Sequence, residues 1–433
     1  MFVLFVCVYM FLLWSYVFFI QKQRFSIITY LTAGVYFPLF LYLLYWSDLS
    51  DRTESFVFDY IFVTLAVLCT IYVANAYKGK NSHIRSIDGR IYVTKFGRQL
   101  YGLINCTYIV LYFLENYLGS GSFVPGLVGI DIHTYSAPII SYFTNAQYLL
   151  LAYNYYYYKS TKRKSAIAFS LVDIIIPVIT RLARMSMVMA IVQIGSLILF
   201  FETDTIKKTI SKFEKKKIRR IKQTIFLVAA IGFVALSTFT QYRMNLHNAE
   251  FTYGSGIAFS GPKWAEWLAP FYGYFPMSFN NLKINILRRK VTHNYIGLYS
   301  FFSLYFGLLQ VDNLFGFDTT GQLKNRLITN GLATVPTAFW DYYYDFDLLL
   351  VIPIIVAMFI SYKFEKKSRK ESKKLTYRTL YFWYVPYWFF TSFQNTLFLA
   401  PAIVVAMLTY YIIKHSFKVD VSSEISKWQK KTK

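Results

Sequence analysis

The chain has 433 residues, 56% of them hydrophobic and only 16% charged, with a formal net charge of +24. A soluble chain of this length wraps its cores in polar surface, and too few polar residues are present for that. The surplus of Lys and Arg does not point to nucleic acid, because most of it sits in short runs between apolar stretches, as in the cytoplasmic loops of membrane proteins.

The apolar stretches are about 17 to 22 residues long, and a helix needs about 20 to cross the hydrocarbon. They are continuous, unlike the short alternating segments of a membrane β-barrel. Spans are predicted near 1–20, 27–47, 56–77, 99–118, 138–158, 165–180, 185–201, 224–241, 346–361, 380–395 and 397–413. The first run, MFVLFVCVYMFLLWSYVFFI, has no basic n-region and no small-residue cleavage site, and reads as a retained span. The sixth, seventh and tenth are short or polar enough to be tilted or broken. Cys7, Cys69 and Cys106 fall within predicted spans with no CxxC pair, so no disulfide framework, zinc site or redox centre is read.

The connections alternate in charge. Lys22 and Arg24 follow the first span, and the next connection carries Asp48, Asp51 and Glu54 against Arg52. Six Lys/Arg lie in 78–98, none in 119–137, four in 159–164, nine in 202–223, eight in 362–379 and six from 414 onward. With the N-terminus outside and about eleven spans, 35 of the 46 Lys/Arg fall on the cytoplasmic side. The expected fold is therefore an all-α polytopic membrane protein, with 10–13 as the range of span counts. Residues 1–241 form a bundle of eight spans, 242–345 a large extracytoplasmic loop, 346–413 a bundle of three spans, and 414–433 a basic cytoplasmic tail suited to an anionic lipid surface.

Segment 242–345 is too long to be structureless. It holds GPKWAEWLAPFYGYFPMSF, then Arg288-Arg289-Lys290, then an apolar stretch at 294–311. If 294–311 crossed the membrane, the only return crossing would be 331–350, which is interrupted by Pro336, Asp341 and Asp345. An interfacial or re-entrant cap is the expected form. Many of the 39 Tyr and 42 Phe suit interface anchoring, Tyr155 to Tyr158 among them.

Eleven Lys/Arg oppose the charge bias, and each needs a local reason. Arg181 and Arg184 are three apart in PVITRLARMSM, which on one helix puts both guanidiniums on one face near the outer surface. Such forks match phosphate oxygens, though snorkelling or pairing with Asp173 or another carboxylate is an equal reading. Arg288, Arg289, Arg326 and Arg243 are further candidates for pyrophosphate or acidic sugars, against solvated-face or anchoring readings. In PTAFWDYYYDFD, Asp341 and Asp345 share a helical face. A carboxylate there can take a hydroxyl proton or organise a base, or simply pair with an arginine. His293, His247 and His133 are the external histidines. No HExxH or comparable spacing occurs, so no metal site is predicted, and no nucleotide fingerprint appears.

This plan resembles the Wzy-type polymerases of O-antigen and capsular oligosaccharide repeat units, most of all those of low-GC Gram-positive bacteria. The resemblance rests on the many spans, the late external loop, the outside arginines of TRLARMS, and LITNGLATVPTAFWDYYYDFDLLLVIPIIVAMF. Ala338-Phe339-Trp340 through Asp345-Phe346 follows the aromatic–Asp-Phe-Gly block of such proteins. Asp347 stands where glycine is expected, and a later glycine is missing. The resemblance implies the membrane polymerase/ligase glycosyltransferase group, in the bacterial cytoplasmic membrane. Its substrates are undecaprenyl-pyrophosphate-linked oligosaccharides, used at the outer face without cofactor. A chain-length regulator and a flippase of the same pathway are implied partners, beside membrane lipids and without nucleic acid. Essential external arginines carry onto Arg181 and Arg184, and more weakly onto Arg288 and Arg326. The base is expected to be Asp345, then Asp341, then His293. A lipid-linked oligosaccharide flippase is the main alternative. A membrane acyltransferase or a non-catalytic scaffold is a further one.

Overall fold

Helices form where the apolar runs stand. The structure, a computed structural model, describes residues 2–46, 52–77, 90–128, 140–181, 184–207, 260–268, 274–288, 337–370, 375–392, 397–398 and 400–420, with positions 291, 293, 295, 297, 300 and 301. The first run is α1 (Phe2–Ser15), widening into a π-turn over Tyr16–Ile20. The second is α2 (Ile27–Leu31), a π-turn at Thr32–Tyr36, and α3 (Phe37–Tyr42). Ser26 starts α2 and Ser55 starts α4 (Phe56–Ala76), each hydroxyl accepting an amide N–H of the first turn. Strand β1 (Arg90–Val93) leads into α5 (Lys95–Ser120), opened by the Thr94 cap and closed by Gly121 in the left-handed conformation. Then come α6 (Ile140–Thr144), α7 (Gln147–Thr161), α8 (Ser165–Arg181) and α9 (Arg184–Lys207). The late segment holds α10 (Tyr274–Arg288) and α11 (Ala338–Phe346), which turns at Asp347–Leu350 into α12 (Val351–Lys370). The tenth predicted span is indeed broken: α13 (Leu375–Tyr384) becomes a 3-10 stretch, Val385–Phe390, containing Pro386. Helix α14 (Ala400–Ser416) runs straight into β2 (Phe417–Asp420).

The described residues are mostly helical. Phe2–Ile20, Phe56–Ala76 and Ala338–Ser368 are long and apolar enough to cross a membrane, and Ile27–Tyr42 and Val188–Phe201 are shorter apolar helices. The predicted span 224–241 and most of 294–311 lie outside the described residues. The all-α expectation meets one exception. β1 pairs antiparallel with β2, Arg90 opposite Asp420 and Val93 opposite Phe417.

Two compact units emerge. Unit 1 comprises residues 1–83, 252–366 and 384–403; unit 2 comprises 84–251, 367–383 and 404–433. The expected segment boundaries at 241 and 345 therefore fall within units.

In unit 1, α2–α3 runs antiparallel to α4: Tyr36 Oη donates to the Phe62 carbonyl at 2.9 Å, and the rings of Tyr42 and Phe58 lie 5.9 Å apart. Helices α4 and α12 run parallel. Tyr60 Oη donates to the Leu348 carbonyl near their starts, and Tyr72 and Tyr77 both donate to the buried Glu365 near their ends. Pro38 has no N–H, so the Gly34 carbonyl four residues back lacks its usual donor. The Ser392 hydroxyl donates to it instead.

In unit 2, the buried face of α5 is its polar one. Tyr101, Asn105, Tyr108, Tyr112 and Glu115 follow one another at helical spacing and are buried, while Leu103, Val110 and Leu118 are exposed. Water would reverse that arrangement; lipid favours it. Asn105 faces Asn154 through paired amide bonds, and Tyr101 stacks on Tyr157 at 3.9 Å, so α5 and α7 are antiparallel. At the strand end, Thr94 Oγ1 donates to the His415 carbonyl at 2.7 Å, and Val93 N–H donates to Ser160 Oγ at 2.9 Å. The described parts of three segments expected on the cytoplasmic side, residues 90–98, 159–164 and 414–420, thus meet at one end of unit 2.

Candidate functional site

The first cluster forms in unit 1 where α11 stops. Asp347 adopts φ 50° and ψ −130°, a backbone region that suits glycine, which is why the helix ends there and the chain re-enters as α12. Pro353 follows in the first turn of α12, where its missing N–H costs no hydrogen bond. The closing turn of α11 leaves carbonyls open. His293 uses two of them: its Nδ1 lies 3.1 Å from both the Tyr343 and Tyr344 oxygens. A carbonyl only accepts, so Nδ1 carries the hydrogen and Nε2 is the ring's remaining working atom. Nε2 faces Asp347 Oδ1 at 3.8 Å, and both side chains keep solvent contact, 16% for His293 and 37% for Asp347.

Asp345 does something different. It is fully buried; its Oδ2 accepts the Ser300 amide at 2.5 Å, and its backbone oxygen accepts Tyr295 N–H at 2.9 Å. The Asp341 carbonyl accepts the Ser300 hydroxyl at 3.1 Å. The two carboxylates do share α11, as their spacing predicted, but Asp345 ties down Tyr295 and Ser300 while His293 and Asp347 keep solvent contact. Sequence reasoning put Asp345 first and gave Asp347 no role. The signal for Asp347 was its place at an expected glycine.

Replacing Asp347 by glycine tests this backbone. Asp347→Gly removes a strain of about 1 kcal/mol or more, so a raised midpoint of thermal unfolding in detergent is expected. A lowered midpoint would mean that the His293 contact outweighs the strain.

The second cluster is in unit 2. Arg181, at the end of α8, donates from Nη2 to Glu115 Oε2 at 2.8 Å and from Nε to Asn116 Oδ1. Its guanidinium also lies 4.6 Å from the centre of the Tyr112 ring. Glu115 is almost wholly buried, and Arg181 is 12% exposed. Of the pairing partners considered, the carboxylate is Glu115 and not Asp173. The expected shared helix face is not formed, because Arg181 closes α8 and Arg184 opens α9. The two arginines belong to different helices, so the three-residue periodicity on which that face depended does not run from one to the other.

Arg288 is exposed at the end of α10. The side chain of Arg184, and Arg289, Arg326, Arg243, His133 and His247, lie outside the described residues. Among the described residues, no three His, Cys, Asp or Glu side chains gather as a metal ion would need. No family model, no curated protein and no solved structure matches the chain.

Proposed function

We propose that this chain is a membrane glycosyltransferase that polymerises lipid-pyrophosphate-linked oligosaccharide repeat units at the outer face of a bacterial cytoplasmic membrane. The observation that carries the reading is the His293–Asp347 pair at the mouth of the apolar helix 338–368. An imidazole whose Nδ1 hydrogen is fixed by two carbonyls presents Nε2 to a hydroxyl. In the reaction, the acceptor hydroxyl oxygen bonds to the anomeric carbon of the donor. Its proton passes to Nε2, and the bond from that carbon to the lipid pyrophosphate breaks with the electron pair leaving on pyrophosphate. Asp347 steadies the imidazolium, and exposed guanidiniums such as Arg288 meet the developing charge. Asp345 and Asp341 hold Tyr295 and Ser300, close in the chain to His293.

The topology of about eleven spans, with the N-terminus outside, belongs to this proposal. It is supported by the alternating loop charge, by the helix directions within each unit, and by the convergence of three basic segments at one end of unit 2.

A second reading, a lipid-linked oligosaccharide transporter, is favoured by one observation. Asp173 is buried at the middle of α8, a helix that contains Pro177. Reconstitution with purified lipid-pyrophosphate repeat units separates the two. Wild type is expected to give a ladder of lengthened glycans, and His293→Ala one weakened about 100-fold or more. Lipid reorientation without chain growth would overturn the polymerase and select the transporter.

A further inference from the structure

Asp173 is an acid with one carboxylate oxygen buried and unbonded among the described residues. Its side chain is fully buried within unit 2. Oδ2 accepts Asn154 Nδ2–H at 3.2 Å, while Oδ1 is buried with no hydrogen-bond partner among the described residues. The hydroxyl of Tyr108, on the facing side of α5, is likewise buried without one.

The backbone around it is opened by Pro177. Proline's missing N–H leaves the Asp173 carbonyl without its i+4 donor, and Gln147 Nε2 donates to that carbonyl at 2.6 Å. Asn105 completes the seam through its reciprocal amide bonds with Asn154.

No cation among the described residues answers Asp173, because Arg181 on the same helix is committed to Glu115. The titratable groups on the buried side of α5 are Tyr101, Tyr108, Tyr112 and Glu115, and α7 carries Tyr148, Tyr153, Tyr155 to Tyr158 and Lys159. Between 185 and 201, α9 carries no titratable side chain, and neither does the turn Pro125–Val128. A buried carboxylate without a compensating charge is costly, and a proton on Oδ1 is the smallest group that removes the charge.

We propose that Asp173 is an intramembrane proton-binding carboxyl group, loaded and unloaded through the polar seam of α5, α7 and α8. One proton bonds to Oδ1 and neutralises the carboxylate, Oδ2 keeps its bond from Asn154, and no other bond changes. This inference does not rest on the polymerase reading.

The test uses the full chain in lipid nanodiscs and dicyclohexylcarbodiimide, a lipid-soluble reagent that couples to carboxyl groups carrying a proton. Peptide mapping is expected to place the label on Asp173, falling about tenfold per pH unit above its midpoint. Asp173→Asn, similar in shape, should abolish that label. Infrared difference spectra between acid and alkaline samples should show a carboxylic C=O band that Asp173→Asn removes and Tyr108→Phe shifts in midpoint. Absence of both label and band at every pH would overturn the proposal. So would suppression of the label by sodium ions at constant pH, which would make the occupant a metal cation.

Discussion

Gly34→Ala is expected to cost about 3 kcal/mol or more, and to leave little folded, monodisperse protein in detergent. A Cβ at Gly34 would collide with the backbone of Phe389, not with the movable end of a side chain. Both segments are fixed: Gly34 lies in the π-turn before α3, and its carbonyl is held by Ser392. Neither backbone can retreat without breaking that bond. The control is Ala33, which points outward; Ala33→Leu should leave the unfolding midpoint nearly unchanged. A Gly34→Ala protein that melts within a degree or two of wild type would show that the approach is looser than described.

Arg181→Ala should be as damaging, for an electrostatic reason. It leaves Glu115 buried and without its cation, and removal of one partner of a buried pair costs about 3–5 kcal/mol. The double variant Glu115→Gln/Arg181→Met removes both charges and should recover much of the lost stability. Thermal unfolding of the two single variants and the double variant measures this coupling. Additive losses would refute the pair as a stabilising unit. The same double variant also examines the phosphate role expected of Arg181. If it is stable and still lengthens glycans, Arg181 acts through structure alone. If it is stable and inactive, the guanidinium touches substrate.

The helical plan was legible in the sequence because lipid imposes its length on each apolar run. Phe2–Ile20 and Phe56–Ala76 nearly coincide with two predicted spans. Interruption was legible only in part: the sixth, seventh and tenth runs all read as short or polar enough to be tilted or broken, and of these the tenth changes to a 3-10 stretch while α8 and α9 stay continuous. What could not be read was the partner of any polar group. Pro38 and Pro177 announce carbonyls short of a donor, but nothing local names Ser392 or Gln147 as the donors. Arg181 was visible as an anomaly, yet Glu115 lies 66 residues away. The acidic block showed the same limit. Asp345 and Asp341 were conspicuous by spacing, whereas the outward pair joins His293 to Asp347 across a turn that only the fold closes. The strands were silent, since RIYV and FKVD are too short to signal pairing alone.

The pairing of those strands sets an order of events. Thr94 and His415, bonded beside them, are 321 residues apart in the chain. Everything between must be synthesised before β2 exists and can meet β1. Unit 2 is therefore begun early and latched late, so a nascent chain spends most of its synthesis with β1 open along one edge. An exposed strand edge invites foreign pairing. Assembly of this protein should thus be most vulnerable in the long interval before its final helix arrives.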